Sequence, residues 1–298
     1  MSVHSDAIRR LQALPVLPIP LAPTPIEELF RLKAEAAALA SPASRLLIKR
    51  DDAIPFGFGG NKIRKLRLVA AKMGLACVLV ANGAPPERPT ANALLDRLLG
   101  ADVRYVERRE DRAPAMERIA GELRAAGRRP FVIPLGASTP LGAAAFALAV
   151  AELLTQIPAP DLIVCSTSSG GTQAGLVAGC ALHGVATRVI GISADDPSAS
   201  IGAAIRGILD GLERLLDAPG AFAQARIEVD DRFVGGGYGV PTPASTEAVE
   251  LAARREAIFL DPTYTAKAMA GLIARLRANS LSGTILFWHT GGQVGLFA

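Results

Sequence analysis

DLIVCSTSSGGTQAGLVAG, residues 161–179, decides the fold class of this chain. An unbroken apolar run ends in hydroxyl residues and two glycines, and an Ala/Gly-rich helical stretch follows. A run apolar at every position suits a strand covered on both faces, which is the situation of a parallel sheet. The turn Ser166-Thr167-Ser168-Ser169-Gly170-Gly171-Thr172 then brings hydroxyls, backbone N–H groups and a helix N-terminus to one point. Proteins hold phosphate in this way. No Lys follows the glycines, so the turn is not a Walker loop. The next strand ends in Ser193 with Asp195 and Asp196 beyond it, so it is not the dinucleotide fingerprint either. An ordinary tight strand-to-helix turn would share these features, and the turn alone leaves both readings open.

Short apolar runs alternate with helical stretches on either side of it. Strands are expected at 46–49, 77–80, 102–106, 130–134, 161–165, 188–193 and 284–288. Helices are expected near 62–73, 90–99, 113–127, 141–155, 172–183, 198–218, 244–254 and 264–278. Alternation of this kind predicts an α/β chain with parallel sheets and right-handed crossovers. The Pro-rich opening leads into Thr24-Pro25-Ile26-Glu27, which reads as a helix N-cap with Pro at the first helical position. The stretch 136–146 is the expected crossing point between two lobes.

Composition narrows the function classes. Half of the 298 residues are apolar and 20% are charged, enough to fill a core. The net charge of +4 is spread out. The arginines at 108–129 are mixed with acids around one helix and lack stacking aromatics, which argues against a nucleic-acid partner. Cys77, Cys165 and Cys180 lie in apolar surroundings without metal-like spacing, and the three histidines show no paired ligand spacing. No metal is expected, and the cysteines read as buried thiols in a reducing compartment. The opening MSVHSDAIRR has no hydrophobic leader core and no apolar run reaches spanning length, so a soluble cytoplasmic protein without a membrane partner is expected.

A second Gly-rich turn, Gly59-Gly60-Asn61-Lys62, puts a lysine at the start of a helix. The helix dipole disfavours a cation there. Such a lysine, with Lys65 nearby, would have a lowered pKa, and a neutral amine is what forms a Schiff base. A solvated surface lysine is the plainer alternative.

The two turns together resemble a known family. GGNKIRKL (59–66), CSTSSGGTQAGL (165–176), GYGVPT (237–242), LDPTYTAKAMAGL (260–272) and FWHTGG (287–292) stand in the order found in the D-cysteine desulfhydrase and 1-aminocyclopropane-1-carboxylate deaminase family. These are fold-type II (tryptophan synthase β-like) pyridoxal-phosphate enzymes. PLAPTPIEEL, LLIKRDD and PTANALLDRLLGADVRYV are similar to it too, so the resemblance runs almost end to end. It implies a two-lobed α/β enzyme with pyridoxal 5'-phosphate in the cleft, a small amino-acid substrate and a homodimer. The larger lobe would comprise 1–55 and 143–298 and the smaller 56–142. By position, Lys62 matches the Schiff-base lysine that doubles as the base at the substrate Cα. Lys65 matches a lysine on the cofactor phosphate, and Ser169, Gly170, Gly171 and Thr172 match the phosphate loop. Tyr238 and Tyr264 match active-site tyrosines, although both could be core tyrosines, and Thr290 resembles the hydroxyl facing the pyridine nitrogen.

The chain departs from that pattern in three places. Family members usually have Gly where this chain has Ser168. The deaminases resemble one another in a Glu after the second tyrosine, where Thr265 stands here, and this favours the desulfhydrase side. Most seriously, the family's Gln-Ser-Asn-His loop has no counterpart. KLRLVAA (65–71) runs straight into KMGLACVLV (72–80), so a strand–loop–helix unit of the smaller lobe is missing. Three outcomes follow: an altered enzyme, a non-catalytic cofactor-binding relic, or a chain that folds poorly.

Overall fold

The computed structural model describes residues 3–15, 22–36, 43–55, 57–65 and 74–298. Its main sheet is built from β1 (Ile26–Glu28), β2 (Ala43–Arg50), β5 (Leu162–Thr167), β6 (Arg188–Ser193), β7 (Glu228–Asp230) and β8 (Gly283–His289), in the spatial order β1-β2-β8-β5-β6-β7. All pairings are parallel except that of β1 with β2. A second sheet holds β3 (Val78–Asn82) and β4 (Asp102–Val106), also parallel.

The strand sequences explain the layering. Along β5, Ile163 and Cys165 point into one apolar cluster while Leu162 and Val164 point into the other. β8 does the same, with Leu286 and Trp288 on one side and Ile285 and Phe287 on the other. A period of two with apolar residues on both faces needs helices on both faces. The first cluster is covered by α1 (Val3–Gln12), α6 (Pro140–Gln156), α7 (Gly171–Leu182) and α8 (Ser198–Leu216). The second is covered by α2 (Phe30–Ala36), α9 (Pro243–Glu256) and α10 (Thr265–Arg277). The remaining helices are α3 (Asn61–Lys65), α4 (Ala91–Leu98) and α5 (Arg112–Ala125).

A glycine ridge fixes α7 against α6. A Cβ on Gly175 would lie 2.2 Å from the Ala143 carbonyl oxygen, and one on Gly179 would lie 2.6 Å from Val150 Cβ. Gly171, one turn earlier, would meet Ser138 at 2.5 Å. Positions i, i+4 and i+8 share a helix face, so three small residues let the backbones approach and press the start of α7 onto Ser138. Gly175→Ala should therefore cost about 1–3 kcal/mol through overpacking. Gly202→Ala on α8, where a Cβ meets nothing within 4 Å, should be neutral or stabilising. Denaturation midpoints of the two variants check this; equal midpoints would remove the ridge as a packing determinant.

Three expectations need correction. Residues 24–28 do not start a helix: Ile26–Glu28 pairs with β2, and Thr24 is drawn into a buried polar cluster instead of capping. Residues 130–134 form no strand, and Phe131 is 77% exposed. A strand needs a partner, and among the described residues the second sheet has only β3 and β4. Of the cysteines expected in the interior, Cys165 and Cys180 are buried but Cys77 is half-buried. The expected helix near 62–73 is described only as Asn61–Lys65, the rest lying outside the described residues. The N-terminal helix Val3–Gln12 and the strand Glu228–Asp230 were not anticipated from the sequence.

Candidate active site

Four neighbouring parallel strands, β2, β8, β5 and β6, deliver Lys62, Thr290, the Ser/Gly loop and Asp195 from their C-terminal ends, where open α/β sheets bind ligands. Tyr238 follows β7, and Tyr264 stands at the start of α10. The turn after β2 carries Lys62, that after β8 carries Thr290, that after β5 is the Ser/Gly loop, and Asp195 follows β6.

The Lys62 turn is held by backbone contact. Gly60 N donates to the Asp51 carbonyl at 2.7 Å, and Asn61 N donates to the Thr290 carbonyl at 2.9 Å. Gly60 has φ +98, and a Cβ there would lie 2.9 Å from Thr290 O; a Cβ on Gly291 would come within 2.4 Å of Gly60 Cα. Only glycine tolerates both the left-handed backbone and the approach, so the GGNK and HTGG turns interlock.

Asn61, absent from the sequence-based candidates, bridges two of them. Its Oδ1 accepts from Lys62 Nζ at 3.1 Å, and its Nδ2 donates to Thr172 Oγ1 at 3.2 Å. The half-buried Lys62 amine also lies 5.9 Å from the Tyr264 ring centroid. Tyr264 and Tyr238 meet edge to face with their hydroxyls 2.8 Å apart. Burial first, and then the Tyr238 hydroxyl, push the Tyr264 phenol above the usual range, so it stays protonated at neutral pH. The Lys65 side chain lies outside the described residues.

Gly170, with φ +80, turns the chain from β5 into α7. The first turn of α7 has N–H groups without intrahelical partners, which gives it the form of an anion site. Ser138 was read only as part of the crossing between lobes, yet it supports this turn. Its hydroxyl accepts from Gly171 N at 3.1 Å and pairs with Ser169 Oγ at 2.7 Å. Ser168 Oγ donates to Asp195 at 2.7 Å, and Asp195 is paired with Arg109. Thr290 Oγ1 pairs with Ser166 Oγ at 2.9 Å, both buried. His289 is buried, which lowers its pKa; Nδ1 accepts from Gly291 N, so Nε2 donates to the Phe259 carbonyl. Thr265 is spent on structure: it is buried and donates to Asp261, whose carboxylate caps the start of α10.

These residues fit pyridoxal phosphate. An amine, a helix N-terminus of anion-binding form and a neutral hydroxyl pair stand on adjacent strand ends. Thr167 Oγ1, buried beneath the loop, has no hydrogen-bond partner among the described residues, leaving polar capacity there. No group of His, Cys, Asp and Glu suited to a metal occurs among the described residues. Among them, no helix is long and apolar enough to cross a membrane.

Comparison with known proteins agrees with the geometry. A D-cysteine desulfhydrase of Salmonella paratyphi A is 33% identical over 330 aligned positions, covering 98% of each chain. The alignment is longer than the 298 residues of this chain, so the relative has segments without a counterpart here. A putative 1-aminocyclopropane-1-carboxylate deaminase of Pyrococcus horikoshii is 34% identical, covering 92% of this chain and 90% of its own. Among solved structures, an ACC deaminase homologue superposes with a TM-score of 0.88 at 32% identity, over 98% of this chain and 96% of that one. Matched from residue 60 to residue 291, the chain belongs to the family of pyridoxal-phosphate dependent enzymes.

Proposed function

We propose that this enzyme is a lyase of the D-cysteine desulfhydrase kind, which eliminates the β-substituent of a small D-amino acid to give pyruvate, ammonia and sulfide. The observation that carries the reading is the placement of the Lys62 amine, bridged by Asn61 to Thr172 of the anion-binding turn and set beside Tyr264. In this reading Lys62 anchors the cofactor and is the base that takes the proton from the substrate Cα. Ser169, Gly170, Gly171 and Thr172 hold the phosphate, joined by Lys65. With the cofactor bound, Thr290, steadied by Ser166, would offer a neutral hydroxyl to the pyridine nitrogen. Tyr264, kept protonated, and Tyr238 stand over the leaving group, where a phenol can give a proton to a departing thiolate. When bound, the cofactor supplies the electron sink for the pair left at Cα. The site would lie in the cleft between a larger lobe of 1–55 and 143–298 and a smaller lobe of 56–142, in a cytoplasmic homodimer.

Two other readings have support. Cyclopropane ring opening is suggested by the deaminase names among the relatives, but Thr265 is buried against Asp261 and supplies no acid beside Tyr264. A cofactor-binding relic is favoured by the absent Ser-Asn-His loop and by a second sheet of two strands among the described residues. The protein loaded with cofactor should release sulfide and pyruvate in equal amounts from D-cysteine and little 2-oxobutyrate from the cyclopropane substrate. The reverse preference would select the deaminase, and a cofactor-loaded protein that releases neither would select the relic.

A further inference from the structure

Lys267 lies on α10, three residues after Tyr264, and is completely buried. Its ammonium makes no ion pair among the described residues. Nζ donates instead to three backbone carbonyls, those of Ala194 at 3.1 Å, Val234 at 2.8 Å and Gly237 at 2.7 Å. A charge taken so far from water is costly unless its hydrogen bonds are made and serve a purpose, and these three carbonyls show what is gained.

Val234 and Gly237 lie in the turn that leads directly into Tyr238. Gly235, Gly237 and Gly239 there have φ of +64, +123 and +74. Four glycines in five residues, three of them in the left-handed region, make a segment with much conformational freedom to lose. The turn's own backbone bonds are long, 3.4 Å from Gly237 N to Val234 O and 3.3 Å from Val240 N to Gly237 O. Tyr238 is 58% exposed, so packing holds its ring poorly. Ala194 leads directly into Asp195, which accepts the hydroxyl of Ser168 beside the anion-binding turn. One ammonium thus joins the helix bearing Tyr264, the turn bearing Tyr238 and the segment that backs the Ser/Gly loop.

We propose that Lys267 is a positioning residue, an internal cation whose three carbonyl contacts fix the 234–239 turn so that Tyr238 meets Tyr264 beside Lys62. Its consequence for turnover rests on the role given above to Tyr238; the tethering itself does not.

Hydrogen exchange on the full-length protein tests it. In Lys267→Met, which keeps most of the apolar stem and removes the donors, the amides of 234–239 should exchange roughly tenfold faster or more. Exchange in β5 and β8, and the visible absorption of bound cofactor, should be unchanged, and KM for the amino acid should rise more than kcat falls. Unchanged exchange in 234–239, or a rise shared equally by the core strands, overturns the proposal. If the Met variant does not fold, Lys267→Ala prepared in ammonium chloride replaces it. Ammonium in the vacated carbonyl cage should slow exchange of 234–239 relative to tetramethylammonium, which is too large to enter, and equal rates in the two salts overturn it. Tyr238→Phe tests the other premise separately: unchanged turnover in that variant removes Tyr238 from the chemistry and leaves the exchange result to decide on Lys267.

Discussion

Lys62→Ala is expected to abolish the visible absorption of the cofactor-loaded protein and to lower sulfide release from D-cysteine by at least about 10³-fold. Two losses combine in that figure. The side chain is the amine that would hold the cofactor, and in the proposed reaction it would also be the base that takes the proton from the substrate Cα. Loss of general-base catalysis alone is worth roughly 10²–10⁴-fold. Asn61 and Thr172 keep their own contact without Lys62, and the GGNK turn is held through backbone atoms, so the fold should persist. Circular dichroism and the denaturation midpoint serve as the control for that. A variant that keeps both the band and the turnover would show that some other amine binds the cofactor. Asn61→Ala should have an intermediate effect, because it breaks the bridge between the amine and the anion-binding turn but leaves both groups in place.

The centre of the main sheet was legible because β5, β6 and β8 are apolar on both faces and run out into polar residues, at Ser166, Ser193 and His289. DLIVC, RVIGIS and TILFW needed no tertiary information. Residues 24–28 and 130–134 were misread for opposite reasons. Thr24-Pro25-Ile26-Glu27 has good local helix-start chemistry, but the edge of β2 offered a ladder, and Thr24 was claimed by Lys49 and Asp51 from a distance in sequence. PFVIP has good strand chemistry, but strands exist only in pairs. Local sequence cannot report whether a partner is present.

The site divides along the same line. Lys62, Thr290 and the Ser/Gly loop sit in turns whose glycines announce close backbone approach. Asn61 stood inside a quoted motif and was passed over because an amide beside a lysine carries no chemistry of its own. Ser138 and Lys267 become meaningful only when the chain brings them to Gly171 and to the Tyr238 turn. Their partners lie on other elements, and no periodicity records such pairings.

The buried ionic cluster behind the site was equally invisible in the sequence, and it yields the second large prediction. Lys62 lies in the first turn of α3, and tertiary contacts from that turn place it. Arg64, two residues beyond Lys62, grips Asp51 with both arms of its guanidinium, Nε to Oδ2 at 2.9 Å and Nη2 to Oδ1 at 2.8 Å. It also reaches Glu152 on α6 at 3.1 Å, and Lys49 reaches Glu152 at 2.6 Å. Thr24 Oγ1 and Trp288 Nε1 complete the shell of Asp51, whose side chain is entirely buried. Burial opposes the charge on Arg64, but the two carboxylates outweigh it and hold the guanidinium firmly protonated. At Glu152 burial likewise opposes ionisation, yet Arg64 and Lys49 together lower its pKa below 4.5.

Arg64→Leu would strip the buried Asp51 carboxyl of its guanidinium partner, leaving it the donors of Thr24 and Trp288, and this should cost about 3–5 kcal/mol. Combining it with Asp51→Asn should recover part of the loss, since the stranded charge rather than the missing attraction carries most of the penalty. Denaturant titrations of the two variants test this; a single variant within about 1 kcal/mol of the parent, or a double variant less stable than the single, would be incompatible with it. The acid limb gives an independent check. A carboxyl whose folded pKa lies below its unfolded value stabilises the fold above the unfolded value, and that stabilisation is lost as pH falls through the folded pKa. The parent should thus lose stability below about pH 4.5, where free Glu152 would begin to protonate. Arg64→Leu should lose less over that window, because Glu152 has then lost one of its two cations. The same cluster carries the functional consequence: with α3 untethered from Asp51, the Lys62 amine is no longer held beside Asn61 and Thr172, and cofactor affinity should fall together with stability.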